Sequence, residues 1–172
     1  MKKTLAWCMA IILGISTAVL CFTTLDIVEV RGSSMLPGLE EGDKLIVYKL
    51  AFKKDSPKYN DIIVFPSEIN SPNGEGHLLI KRVIAVEEDT VAIVDGLVFV
   101  NDKPLTEGYV FDEKAGCSLQ QVTIRNRHCF VLGDNRAISR DSRDVTVGQV
   151  DNEKVIGKAV FRIWPLDRIG VI

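Results

Sequence analysis

The chain has 172 residues and a formal net charge of −2, room for one medium domain and little else. Its 47% hydrophobic content is inflated by one N-terminal segment; with Lys2 and Lys3 set aside, residues 26–172 carry 19 Lys+Arg against all 23 Asp+Glu, a formal charge of −4. An acidic domain without a basic stripe excludes nucleic acid as a partner.

The apolar segment comes first. From Thr4 through Leu25 no side chain is charged. A helix of that length rises about 33 Å, enough to cross a hydrocarbon core of about 30 Å. Lys2 and Lys3 precede it, while Asp26 and Glu29 follow, so the positive-inside bias predicts a cytoplasmic stub (1–3), a membrane anchor (4–25) and an extracytoplasmic domain (26–172). The other reading is a cleavable signal peptide ending near Ser16-Thr17-Ala18. The apolar run continues through Val19, Leu20, Cys21 and Phe22, which favours an uncleaved anchor. Either way, the globular part works outside the cytoplasm.

Beyond the anchor, short β-type runs are punctuated by turn residues. Strands are predicted at Asp26–Arg31, Lys44–Lys49 and Asp61–Phe65, followed by a surface loop at Ser67–Gly76. Leu78–Val86 is a long β-branched run, expected to be central and buried on both faces. Val91–Val94 and Leu97–Val100 flank Asp95-Gly96, a strong hairpin signal. Phe130–Leu132 and Val155–Ile163 complete the set. The fold class is mainly β: one antiparallel domain on a single N-terminal helix.

Of four cysteines, Cys8 and Cys21 lie in the apolar segment. Cys117 and Cys129 lie in the outer domain, where an oxidising compartment permits a disulfide; a buried strand thiol at Cys129 is the equal alternative. No metal-ligating pattern occurs.

The chemistry is narrowed by what is missing. His77 sits in the Gly/Pro-rich loop and His128 opens a strand, both read as structural or surface groups, so no Ser-His-Asp signature is present. No nucleophile elbow, Walker loop, H-E-x-x-H or S-x-x-K occurs. A serine and a lysine remain. Ser34 follows a strand, with Gly32 before it and Pro37 after. Glycine lets backbone N–H groups turn toward a bound carbonyl, although Gly-Ser-Ser is equally an ordinary flexible turn. Lys81 and Arg82 interrupt the apolar run, and strand alternation sends them to opposite faces. A charge-guarded edge strand is the alternative. Buried, Lys81 would lose its charge more easily. An unperturbed lysine is neutral only about one part in a thousand near neutral pH, and a depression of about two to three units makes it a competent base. The third segment, Gly133 to Asp144, alternates Asp and Arg among hydroxyls, as a salt-bridged loop does.

Together these segments resemble the bacterial type I signal peptidase family. The serine box is Ser34-Met35-Leu36-Pro37, the next runs Gly42–Lys49, the lysine box is Lys81-Arg82-Val83-Ile84, and the last runs from Gly133-Asp134-Asn135-Arg136 to Arg143; Ile156–Ala159 and Trp164-Pro165 are similar too. The single span looks like the short form typical of Gram-positive bacteria. The resemblance implies a β-rich catalytic fold, Ser34 as nucleophile and Lys81 as general base. It implies that Ser139 orients the Lys81 amine and that Asp134, Arg136, Asp141 and Arg143 hold the site together by salt bridges. The Ser34 N–H would form part of the oxyanion hole. Gly32 stands where some members carry a hydroxyl residue, so a backbone group would have to serve there. Gly38, Glu88 and Ile138 also depart from the family pattern, and none removes a catalytic atom.

The expected reaction is acyl transfer: cleavage of signal peptides from exported preproteins after small residues in an Ala-x-Ala pattern, with no cofactor and no metal. Met35, Leu36, Val83 and Ile84 are candidate pocket residues, core packing being their ordinary role. The lipid bilayer and the protein translocation machinery are the expected surroundings. Two rivals are a cytosolic self-cleaving serine–lysine peptidase, which the anchor and the acidic domain argue against, and a non-enzymatic membrane-tethered β-module.

Overall fold

A computed structural model of the chain describes residues 2–67, 77–110 and 118–172. Most of the expected Ser67–Gly76 loop and Cys117 lie outside the described residues. Helix α1 spans Lys2–Thr24. No part of Trp7–Thr24 is buried against protein, and Trp7 and Phe22 are 72% and 81% exposed. The hydroxyls of Ser16, Thr17, Thr23 and Thr24 each donate to a carbonyl one turn back, at 2.8–3.0 Å, so none is left unpaired in an apolar surrounding. The helix ends one residue earlier than the uncharged run, because Leu25 pairs with Tyr48 and enters the sheet.

Twelve strands follow among the described residues. The larger sheet contains β1 (Leu25–Glu29), β2 (Lys44–Tyr48), β3 (Ile62–Pro66), β4 (Leu78–Ala85), β9 (His128–Leu132), β10 (Val150–Asp151), β11 (Gly157–Trp164) and β12 (Gly170–Val171). Its order is β1-β2-β11-β3-β4-β9-β10, with β12 also on β11. The smaller sheet is β7-β6-β5-β8, made of β5 (Thr90–Val94), β6 (Leu97–Val100), β7 (Lys103–Pro104) and β8 (Leu119–Thr123). All pairings are antiparallel. The β5–β6 hairpin turns at Asp95-Gly96, both at positive φ (51° and 84°), as a two-residue turn of this hand requires.

Strand β4 is central and buried from Ile80 onward. Residues 78–82 pair with β3, whereas β9 pairs only from Arg82 onward. Among the described residues, Leu78–Lys81 therefore keeps one unpaired edge. Three apolar clusters hold the domain. One lies under β1, β2 and the Met35–Leu39 turn; one joins the two sheets through Ile84, Phe130, Ile93 and Val98; the third contains Val83, Cys129 and Val131. Cys129 is a free, fully buried thiol, and burial pushes its pKa up to about 12.

Candidate active site

Strand β1 leads through Val30 into the turn that carries Ser34. Met35 and Leu39 anchor that turn in the core, each 1% exposed. Asp43, fully buried, braces it from behind: it accepts from the Glu40 N–H at 3.0 Å and pairs with Arg162 and Arg168 of the C-terminal segment. Arg162 also donates to the Gly38 carbonyl at 2.9 Å. The serine is thus presented on a pinned loop.

On β4, alternation separates Lys81 from Arg82. Lys81 is 3% exposed; its Nζ donates to Ser34 Oγ at 2.7 Å and to the Ile80 carbonyl at 3.0 Å. Burial is the main influence on this amine and brings its pKa down to about 8; Asp141 and Asp134 oppose that shift, and Arg143 adds to it. Arg82 forms a bidentate pair with Asp134 at 2.8 and 2.7 Å and donates to Asn60 Oδ1 at 2.9 Å.

The loop after β9 closes on the serine turn. The Asn135 N–H donates to the Ser34 carbonyl at 3.0 Å, and its side-chain amide donates to the Ser33 carbonyl at 3.2 Å. A Cβ at Gly133 would lie 2.5 Å from the Ser34 carbonyl oxygen and 2.2 Å from Ser139 Oγ, so only glycine permits this approach. Asp141 accepts from the Gly133 N–H at 3.0 Å and is gripped by Arg143 at 2.7 and 2.9 Å. Arg136 donates through Nε to the Gly133 carbonyl at 3.0 Å and through Nη2 to Glu107. Among the described residues the Ser34 N–H has no hydrogen-bond acceptor, which leaves it open to a developing oxyanion. Gly32, at φ +78°, has open space where a side chain would stand.

A serine and a buried, weakly basic amine in direct contact are the parts of an acyl-transfer site. The sequence comparisons agree with that chemistry. A family model described as signal peptidase, peptidase S26, matches residues 2–164. The chain belongs to this family. It is therefore a serine endopeptidase of the type I signal peptidase kind. Among its relatives are a probable signal peptidase I-1 of Synechocystis (39% identical over 82% of this chain and 72% of that one) and a signal peptidase I of Leptolyngbya laminosa (35%, over 98% and 80%). Signal peptidase I T of Bacillus subtilis is 32% identical over 98% of this chain and 91% of its own length. The likeness thus extends to cyanobacteria as well as to Gram-positive bacteria.

The signal peptidase fold brings Ser34 against Lys81, and Asp134, Arg136, Asp141 and Arg143 lie in the hydrogen-bonded surroundings of Arg82 and Gly133. Ser139 differs. Its Oγ is buried without a hydrogen-bond partner, and the Ile80 carbonyl is the amine's second contact. The pocket residues need correction as well. A cleft of about 590 Å³ opens at Ser34 and Lys81, with walls from Ile27–Arg31 on one side and His77–Ile80 on the other, and with Met35 beside Ser34. Val83 and Ile84 are 0% and 1% exposed and belong to the core, Val83 in the cluster of Ile63, Cys129 and Val131 and Ile84 in that of Ile93, Val98 and Phe130; Leu36 does not line the cleft either. Glu107 and Tyr109 escape a reading of the sequence, since no local pattern marks them; Arg82 and Asn135 stand in the quoted boxes, but their partners, Asp134 and the serine turn, come only from the fold.

Proposed function

We propose that Ser34 is the nucleophile and Lys81 the general base of a signal peptidase that cuts exported preproteins after small residues. One observation carries the reading: the Lys81 amine is buried, has a lowered pKa and stands 2.7 Å from Ser34 Oγ. In its neutral form it takes the hydroxyl proton as Oγ attacks the scissile carbonyl, and then delivers that proton to the leaving amine. The same nitrogen next draws a proton from water for deacylation. The Ser34 N–H receives the carbonyl oxygen as it becomes negative.

The walls of the cleft favour an extended peptide. The unpaired edge of Leu78–Lys81 faces residues 27–31 across the cleft, and a substrate strand between them satisfies those backbone groups by β-augmentation. Met35 forms a shallow floor beside the serine, which suits small side chains. Ser139 stays a candidate for steadying the amine during turnover, and the Gly32 region for supplying a second oxyanion donor.

The bare apolar surface of α1 supports a membrane anchor, with the stub at residues 1–3 on the cytoplasmic side and residues 26–172 outside. Ser34 follows Leu25 by nine residues, which keeps the site near the membrane face where a preprotein leaves the translocation machinery. Separate Ser34→Ala and Lys81→Ala enzymes, assayed in detergent on a secretory precursor, test the dyad. Each should lose activity by at least about a thousandfold; near-wild-type cleavage by either ends the assignment.

A further inference from the structure

The segment after β7 leaves the smaller sheet and packs against Arg82 and against Arg136 of the loop that follows β9. Glu107 Oε1 accepts hydrogen bonds from two directions: from Arg136 Nη2 and, at 2.7 Å, from the Tyr109 hydroxyl. The Arg136 and Glu107 side chains are 0% and 6% exposed. The Tyr109 ring lies 4.1 Å beneath the Arg82 guanidinium. Glu107 and Tyr109 therefore hold both the arginine next to Lys81 and the arginine that grips the Gly133 carbonyl. Neither residue lines the cleft.

We propose that Glu107 is a positioning residue for the peptidase reaction: through Arg136 it clamps the Gly133–Arg136 loop onto Ser34 and keeps water from the Lys81 amine. The inference rests on the Ser34–Lys81 reading above. Its physical route is short. Arg136 Nε fixes the Gly133 carbonyl, the Gly133 N–H is fixed by Asp141, and Gly133 touches both the Ser34 carbonyl and Ser139. The Arg136 side chain is fully buried, so without an acceptor at position 107 its Nη2 donor is left unsatisfied and must shift toward solvent, taking the loop with it. The charged groups facing Lys81 are Asp141, Asp134 and Arg143; those facing Glu107 are Arg136 and Tyr109, with Arg82 on the far side of the ring. Burial is the leading cause of the low basicity of Lys81, and a loosened loop rehydrates the amine and restores it.

The test uses the full chain in detergent with a synthetic precursor peptide, assayed well below each variant's melting temperature. Glu107→Gln keeps an acceptor oxygen, whereas Glu107→Ala removes it; both remove the charge, so their difference isolates the hydrogen bonds. Expected for E107A is a kcat lower by about tenfold or more, a KM within about twofold of wild type, and an acidic limb of the kcat/KM profile at higher pH than in E107Q. E107Q should keep kcat within about threefold. Equal kcat and equal pH limbs for E107A and E107Q, or a loss confined to KM, would overturn the proposal. Should E107A not fold, Tyr109→Phe serves: it removes the hydroxyl that steadies Glu107 and also meets Tyr59, with an expected kcat about two- to fivefold lower, and a wild-type rate overturns the proposal equally. Ser34→Ala and Lys81→Ala controls separate the two readings. If they retain activity the dyad itself is wrong; if they abolish it while E107A is normal, only the clamp is wrong.

Discussion

Lys81 and Arg82 are consecutive on β4 and end in opposite electrostatic surroundings. Arg82 faces Asp134, whose two oxygens it takes at 2.7 and 2.8 Å, while Lys81 faces a serine hydroxyl and a carbonyl with no carboxylate in hydrogen-bond contact. One buried cation is neutralised by a partner; the other is left to shed its proton. A strand does this simply by alternating its faces.

The pH dependence of cleavage follows from that difference. With the amine's pKa near 8, kcat/KM should rise about tenfold per pH unit below about 7 and level off above about 9. A pH–rate profile on a precursor peptide measures it. An acidic limb near 10 would mean that the amine is hydrated in solution.

The same burial has a stability consequence. The folded state lowers the Lys81 pKa, so at low pH the fold must either keep a poorly solvated cation or release a proton that the unfolded chain holds. The penalty is full below the folded value of about 8 and fades as pH rises toward the unfolded value near 10.5. Lys81→Met should therefore be inactive yet more stable at pH 6, by up to about 3 kcal/mol, with the gain shrinking toward pH 10. Thermal unfolding at both pH values checks the sign.

Asp134 carries the opposite expectation. Its side chain is 1% exposed and that of Arg82 10%, so Asp134→Ala leaves a buried guanidinium, next in sequence to Lys81, without its partner. A loss of about 3–5 kcal/mol is expected. Chemical denaturation measures it, and a loss under 1 kcal/mol would show the pair to be well solvated.

Ser139 is a test of a different kind. Its buried hydroxyl has no partner, so Ser139→Ala should leave the melting temperature unchanged or raise it by the equivalent of about 1 kcal/mol. Calorimetry decides that point. A fall in kcat with stability intact would then assign the hydroxyl to the catalytic cycle, and an undiminished rate would leave the Ile80 carbonyl as the contact that orients the amine.

Much of the architecture is legible in the chain because its causes are local. The Asp95-Gly96 turn, the apolar run of β4 and the uncharged span each announce themselves within a few residues. The short strands β7, β8, β10 and β12 do not, since pairing across the fold rather than propensity makes them strands. Val83 and Ile84 are by sequence candidates for the pocket or for the core; the choice falls to the core because distant residues, among them Cys129, Val131, Phe130 and Ile93, pack on both faces of that half of β4.

By itself the sequence determined the kind of machine: a membrane-length apolar segment, a β-rich outer domain, and a serine and a lysine in boxes that leave little other chemistry available. Tertiary structure decided which oxygen the amine meets, which acid neutralises which arginine, and that a glutamate and a tyrosine from the segment after β7 pack against Arg136 and Arg82. The physical reason is range. Turn geometry and strand periodicity act between neighbours in the chain, but desolvation of an amine and the pairing of buried charges depend on what distant segments bring alongside.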